Sequence, residues 1–409
     1  MVIRRVRFTS VLALIGAAFS TTPAQTPPVQ TAPSRYLYLW TASADTTKPD
    51  FLAVVDVQPQ SPSYGKLVTT VPVPGRNNGP HHTEHALAND GRLFANGFDS
   101  GKTFIFDVSR PATPTIAQQF GDVQGMMHPH SFLRLPNGHV LATFQMRHVN
   151  GKMLPGGLAE LTNSGAVVRT ATANVPGVDP RVRPYSAAIM PAIDRVFTTT
   201  TDMDGTEQIN DVQLWRLSDL SLLTTFKLPN GPRGNEGALT AEPRLLPDGK
   251  SLLVSTFNCG LYHVSGLDTP TPTAKLVASF PQKPKTYCAI PSIVGHYYVV
   301  TVPAWSAVVS LDISDPMHPR EASRVALGKD EVPHWLSVEP NHQRIVVTGY
   351  AGMQHRVVML TFNEQTGQLA LDTRFREAGA RQPGFFMDNK TWPHGGSAKG
   401  IPHGAVFSR

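Results

Sequence analysis

Cysteine is nearly absent: Cys259 and Cys288 are the only two in 409 residues. Two thiols can form at most one disulfide, which excludes a scaffold built on a disulfide framework and leaves the fold to stand on its apolar core. One disulfide, two buried thiols or a thiol beside a site all fit their positions, and inert thiols are the expected state. Long apolar runs are missing too. Val11–Phe19 is far short of the roughly 20 residues that a membrane-spanning helix needs, and no later run comes closer, so membrane insertion is not expected. Charge is also sparse, at 16%. No cluster of lysine and arginine or aromatic-basic stripe occurs, so a nucleic-acid surface is not expected. Nothing in the apolar spacing supports long helices.

The basic residues that are there begin at the N-terminus, where Arg4, Arg5 and Arg7 precede Val11–Phe19 and then small residues. That order reads as a secretory signal peptide over 1–24, with cleavage fitting after Ser20 or Ala24, followed by a flexible leader over 25–34. The Arg4-Arg5 pair leaves a twin-arginine route open. Taking those three arginines from the net charge of +6 leaves +3 for a periplasmic or secreted mature chain.

The remaining 35–409 repeats with a period near fifty residues, the spacing of propeller blades. Each unit has a polar or His/Pro-containing lead-in, a short apolar strand, a turn, and a second strand ending in Thr or Ser. Units start at His81, His128, Arg183, Ala241, Tyr287 and Val332. Asn89-Asp90-Gly91, Pro136-Asn137-Gly138 and Pro247-Asp248-Gly249 are hairpin turns, because these residues accept or preset turn conformations. The N-terminal LYLWTA, FLAVVDV and KLVTTVPV supply strands two to four of a blade, and the C-terminal IPHGAVFS supplies a lone first strand. The expected fold is therefore all-β, a seven-bladed β-propeller in one domain. Its ring is closed by pairing the C-terminal strand with the N-terminal strands, which removes exposed edges. Ala378 to Gly400, rich in Gly and Pro, reads as the long connection before that closing strand.

First strands line a propeller's central channel, and the fifteen histidines are not spread evenly around it. His81, His82 and His85 lie at the start of blade one, His128 and His130 of blade two, His334 of blade six, and His394 and His403 of blade seven. Imidazoles gathered from several rigid blades can hold a copper or iron ion in fixed geometry, which no single blade could do. In an extended segment only one of the neighbours His81 and His82 would face the axis. Arg183 and Glu242 hold equivalent lead-ins and are candidates for orienting a ligand imidazole. Tyr287, Trp335 and Trp392 read as packing. His139, His148, His263, His296, His318, His342 and His355 fall on turns or outer strands and read as structural.

The stretch from Leu37 to Pro74, followed by PHHTEH (80–85) and FIFDVSRPATP (104–114), resembles the selenium-binding protein family, which includes bacterial methanethiol oxidases. MHPHSFLRLPNGHVLAT (127–143) and SLDISDPMHPR (310–320) resemble it as well. The resemblance implies a periplasmic copper-dependent oxidase that acts on a small organosulfur substrate with O2 and water. For methanethiol the products would be formaldehyde, hydrogen sulfide and hydrogen peroxide. It assigns metal ligands to His81, His82 and His130, and to His403 or His394, of which His403 is preferred because it leads directly into the closing strand; His334, at its own lead-in, stays in reserve. His85 or His128 would move protons. The cysteine-bearing segment that follows the His-His pair in animal members is replaced here by HALANDGRL (85–93), which counts against selenium attachment. Two further readings stay open. One is a four-histidine Fe(II) oxygenase resembling the carotenoid-cleaving enzymes, and the other is a propeller that binds metal without catalysis.

Overall fold

The computed structural model describes residues 32–203, 208–283, 286–288, 290–329, 331–349, 355–388 and 390–409. The signal peptide expected over 1–24 and most of the leader lie outside them. Among the described residues there is no α-helix, only two single-turn 3₁₀ segments at Pro191–Ile193 and Pro303–Trp305. Nor is there a helix long and apolar enough to cross a membrane.

Seven sheets follow one another around a ring. Blade one pairs Pro80–Thr83, Arg92–Gly97, Lys102–Asp107 and Thr115–Phe120, each antiparallel to the next. Blades two, three and four begin with Met126–Arg134, Pro184–Met190 and Thr240–Leu245, and blades five and six with Ser292–Val294 and Trp335–Val338. The blade-five first strand is only three residues long, so Tyr287 and Cys288 belong to its lead-in. In the seventh sheet Gly400–Phe407 pairs antiparallel with Tyr36–Ser43, and Phe51–Asp56 and Leu67–Pro72 follow outward. The connection from 378 to 400 is not bare loop. Phe385–Phe386 pairs with Arg356–Asn363, and Lys390–Thr391 forms a small hairpin with Ser397–Ala398.

The middle strands, such as Leu252–Thr256 and Tyr297–Val302, are buried at every position and are mostly apolar with Ser or Thr near the end, because both of their faces are covered. Alternation sends successive side chains to opposite neighbours: Leu93 packs toward blade seven with Tyr38 and Trp40, and Phe94 toward blade two with Phe132 and Phe144. Each of the seven interfaces between blades holds its own apolar cluster. Fully burying each Phe or Leu there stabilises the ring by about 1.5–3 kcal/mol. Between blades four and five, Cys259 and Cys288 are joined by a disulfide across a separation of 29 residues, which corrects the expectation of inert thiols. Cys259 turns at the end of its hairpin with φ 65°, and that turn swings its side chain toward the blade-five lead-in.

Candidate metal centre

The site begins with one extra residue in five of the seven first strands. In blade one Pro80 pairs with Gly97 and Thr83 with Ala95, so His81 and His82 together face Asn96 alone. The same bulge recurs at His130-Ser131 in blade two, Tyr185-Ser186 in blade three and Ala241-Glu242 in blade four. Blade seven repeats it at His403-Gly404. A bulge re-aims its side chains. It brings both His81 and His82 into the centre, where regular alternation would have kept one of them out.

The residue facing each bulge fixes it. Asn96, Thr143, Thr199 and Ser255 accept hydrogen bonds from the backbone N–H of His82, Ser131, Ser186 and Glu242. Three of them also donate to the first strand of the next blade: Asn96 to the Pro129 carbonyl, Thr143 to that of Tyr185 and Thr199 to that of Ala241. Thr348 donates to the His403 carbonyl in the same way. Asn96, Thr143, Thr199 and Thr348 therefore tie neighbouring blades together at the level of the histidines. Thr143→Val keeps the shape but leaves the buried Ser131 N–H unpaired and removes one bond to the Tyr185 carbonyl. It should cost about 2–4 kcal/mol in urea unfolding, against under about 0.5 for Thr224→Val on an outer strand.

Inside this ring the imidazoles meet. Ring centroids are 4.5 Å apart for His81 and His82, 4.0 Å for His81 and His403, and 4.1 Å for His82 and His130. His334 joins at 4.7 Å from His403. One nitrogen from each of His81, His82 and His403 can lie within 4.8 Å of the others, a spacing suited to sharing one ion. His82 and His130 are wholly buried, and His334 and His403 nearly so. Burial pushes His81 and His334 down to about 3, and burial with the neighbouring rings holds His82, His130 and His403 well below the usual histidine range. All five are neutral at neutral pH, the form that ligates metal. Nε2 of His81 and of His130 is buried with no hydrogen-bond partner among the described residues. Burying an unpartnered imidazole nitrogen is costly unless something else engages it. Soft-to-borderline nitrogen donors in this number fit copper or iron.

The other expected residues take separate places. His85 stacks on Trp335 at 4.6 Å and 9°, with Nε2 3.6 Å from Glu242 Oε2, so Trp335 packs directly against the centre. Burial would raise Glu242, but Arg244 and His85 hold it down at about 2. A cavity of about 390 Å³ adjoins His85, with Phe132, Arg134, Ile189 and Arg244 in its wall. His128 stands outside the cluster, its ring 5.0 Å from Phe98. His394 is not at the centre: its Nδ1 is 2.6 Å from Thr70 Oγ1 and its ring lies 4.9 Å from Phe51, because the hairpin that carries it packs on the outer part of blade seven. Arg183 bonds the Pro180 and Val182 carbonyls and lies 3.8 Å from Asp202, and none of these contacts orients an imidazole. Trp392 packs at 4.6 Å on Phe51 and Tyr287 is partly exposed beside Phe257.

One residue went unread. Tyr185 lies 3.7 Å from the His130 ring, with its hydroxyl 3.4 Å from His82 Nε2. The signal for it is the pair Pro-His or Pro-Tyr: Pro80-His81, Pro129-His130, Pro184-Tyr185, Pro333-His334 and Pro402-His403 all place the second residue at the axis.

Fold and centre together define the class: a seven-bladed β-propeller with a buried polyhistidine centre. No protein-family model matches the chain. It is 34% identical over 146 residues to a methanethiol oxidase of Hyphomicrobium sp, a match covering 34% of this chain and 32% of that protein. A methanethiol oxidase of Ruegeria pomeroyi is 32% identical over 134 residues, covering 30% of each, and selenium-binding protein 1 of Arabidopsis thaliana is 30% identical over 111. The chain thus matches about a third or less of the length of these curated relatives. In overall architecture it is similar to a hypothetical selenium-binding protein from Sulfolobus tokodaii, with a TM-score of 0.75 at 18% identity, covering 93% of this chain and 94% of that one. A periplasmic gluconolactonase of Pseudomonas aeruginosa shares the fold with a TM-score of 0.62 at 12% identity, over 91% and 99% of the two chains.

Proposed function

We propose that this protein is a copper-dependent oxidase of a small thiol, converting methanethiol, O2 and water to formaldehyde, hydrogen sulfide and hydrogen peroxide. The observation that carries this is the convergence of His81, His82, His130 and His403 as neutral imidazoles, the last three buried and His81 half-buried, with the Nε2 atoms of His81 and His130 buried and unpartnered among the described residues. The partial likeness to methanethiol oxidases supports the choice of reaction. Copper held there would supply Lewis acidity toward a thiol sulfur and an electron path to O2.

The chain's own groups do the rest. His85 has Nδ1 buried without a partner among the described residues, and it borders the cavity beside the centre. Burial, with Arg244 next to it, lowers its pKa and leaves it free to accept the proton of an entering thiol. The ionised Glu242, 3.6 Å away, stabilises the imidazolium that results. His128, whose ring packs on Phe98, serves as a second proton carrier. A cavity of about 390 Å³, lined by Phe132, Leu133 and Ile189 together with Arg134 and Arg244, admits a small thiol. The reading places the protein in an exported, oxidising compartment, and the Cys259–Cys288 disulfide supports that setting.

The test is metal analysis of purified protein together with methanethiol-dependent O2 uptake. Copper near one per chain and equal yields of formaldehyde, sulfide and peroxide, all lost in His82→Ala, are expected. Iron in place of copper, or bound copper without O2 uptake, would overturn the reading.

A further inference from the structure

Blade two differs from the others at its upper end. Its second and third strands, Val140–Val149 and Lys152–Leu161, are each ten residues long, the longest among the described residues, and their hairpin continues past the level of the histidines. Sulfur is concentrated on this extension. Met127 stands opposite Met146, and Met153 stands opposite His148. Met146 and His148 are two apart on one strand and share a face. Directly opposed residues of an antiparallel pair lie on the same face, so Met127, Met146, Met153 and His148 form one patch. Met127 and Met153 are 37% and 44% exposed, so two thioethers face solvent and Met146 lies buried beneath them.

Exposed methionines scattered singly call for no explanation. These are grouped with an imidazole, and they adjoin the centre. The residue after Met127 is His128, held at φ 55° with Nδ1 buried and unpartnered among the described residues. Its ring touches Phe98, whose ring lies 5.8 Å from His81 and 6.0 Å from His130. Thioether sulfur with one imidazole is a soft donor set that selects monovalent copper over zinc, iron or magnesium.

We propose that the Met127, Met146, Met153 and His148 face is an acquisition site for cuprous ion, which passes by His128 to the axial histidines. The binding half stands on the hairpin alone. The delivery half rests on the copper reading of the axial centre.

The experiment titrates metal-free protein anaerobically with ascorbate-reduced copper against a colorimetric Cu(I) chelator, and reads copper–sulfur scattering by X-ray absorption. Two classes of site are expected in the unaltered protein, the weaker one carrying the sulfur signal. The triple variant Met127→Leu, Met146→Leu, Met153→Leu keeps side-chain volume and leaves every axial residue in place. It should lose the weaker class and the sulfur signal, and fill the axial class about tenfold more slowly or worse, because ion held nearby no longer raises the local concentration. A weaker class and sulfur signal that survive in the triple variant would overturn the acquisition site. Unchanged filling after their loss would overturn delivery. In His82→Ala the sulfur-bearing class should remain when the axial class is gone, so the acquisition site is decided even if the axial centre proves to hold no copper.

Discussion

His130→Ala is expected to yield a folded propeller that no longer retains metal through dialysis and shows no thiol-dependent O2 uptake. His130 is wholly buried, its ring is 4.1 Å from that of His82, and its Nε2 has no protein partner among the described residues. The position therefore contributes a donor to the centre through Nε2, while Nδ1 lies 3.3 Å from Ser131 Oγ. The bulge that presents it is held by Ser131 N–H on Thr143, which the substitution leaves in place. Removing a group that merely orients a ligand typically costs 10–100-fold in metal affinity, and removing a donor should cost more. Two controls give the experiment its meaning. His139→Ala lies in the same blade, where Glu160 engages the ring at 2.6 Å, and His394→Ala removes a ring bonded to Thr70. Both should retain full metal content. Equal loss in all three would mean that histidine substitution unsettles the propeller generally, and retention in His130→Ala would remove it from the ligand set.

The contrast between His130 and His394 also shows what can be read from the chain. The blade count was legible because each blade repeats its turn and its apolar second strand, and those patterns follow from burying both faces of a middle strand. His81, His82, His130 and His403 were legible because they stand in lead-ins. The bulge itself was not. One extra residue in a strand changes neither composition nor periodicity, so sequence spacing could not say that His81 and His82 would both turn inward. The same blindness hid Tyr185, which occupies in blade three the bulge position of His130. His394 follows a proline, as the axial histidines do, but its Pro-His pair lies in a small hairpin closed by Lys390–Thr391 and Ser397–Ala398. Only the pairing pattern separates it from His403. The disulfide depended on how far two blades bring Cys259 and Cys288 together, a tertiary distance with no local signature.

The metal-free protein should unfold steeply as pH falls from 7 toward 5. His81 and His334 titrate at about 3 in the folded chain, and burial with the adjacent rings holds His82, His130 and His403 well below 6.5. In the unfolded chain each titrates near 6.5. Their stabilising effect is complete above the unfolded value. Below it the unfolded chain takes up protons that the folded chain refuses, so stability drops by about 1.4 kcal/mol per pH unit for each histidine. Five acting together would remove at most ~7 kcal/mol per unit, against a typical domain stability of about 5–15 kcal/mol. The centre is thus held at a cost that acid exposes. Urea midpoints measured from pH 8 to pH 5 check this, and His334→Phe should flatten the slope by one proton's worth while leaving the others. Bound metal raises the midpoint by an amount that grows with the logarithm of its affinity at each pH where the nitrogens remain neutral. A midpoint that stays level between pH 7 and pH 5 would show that protons reach the folded cluster, and with them water, contrary to a sealed axial centre.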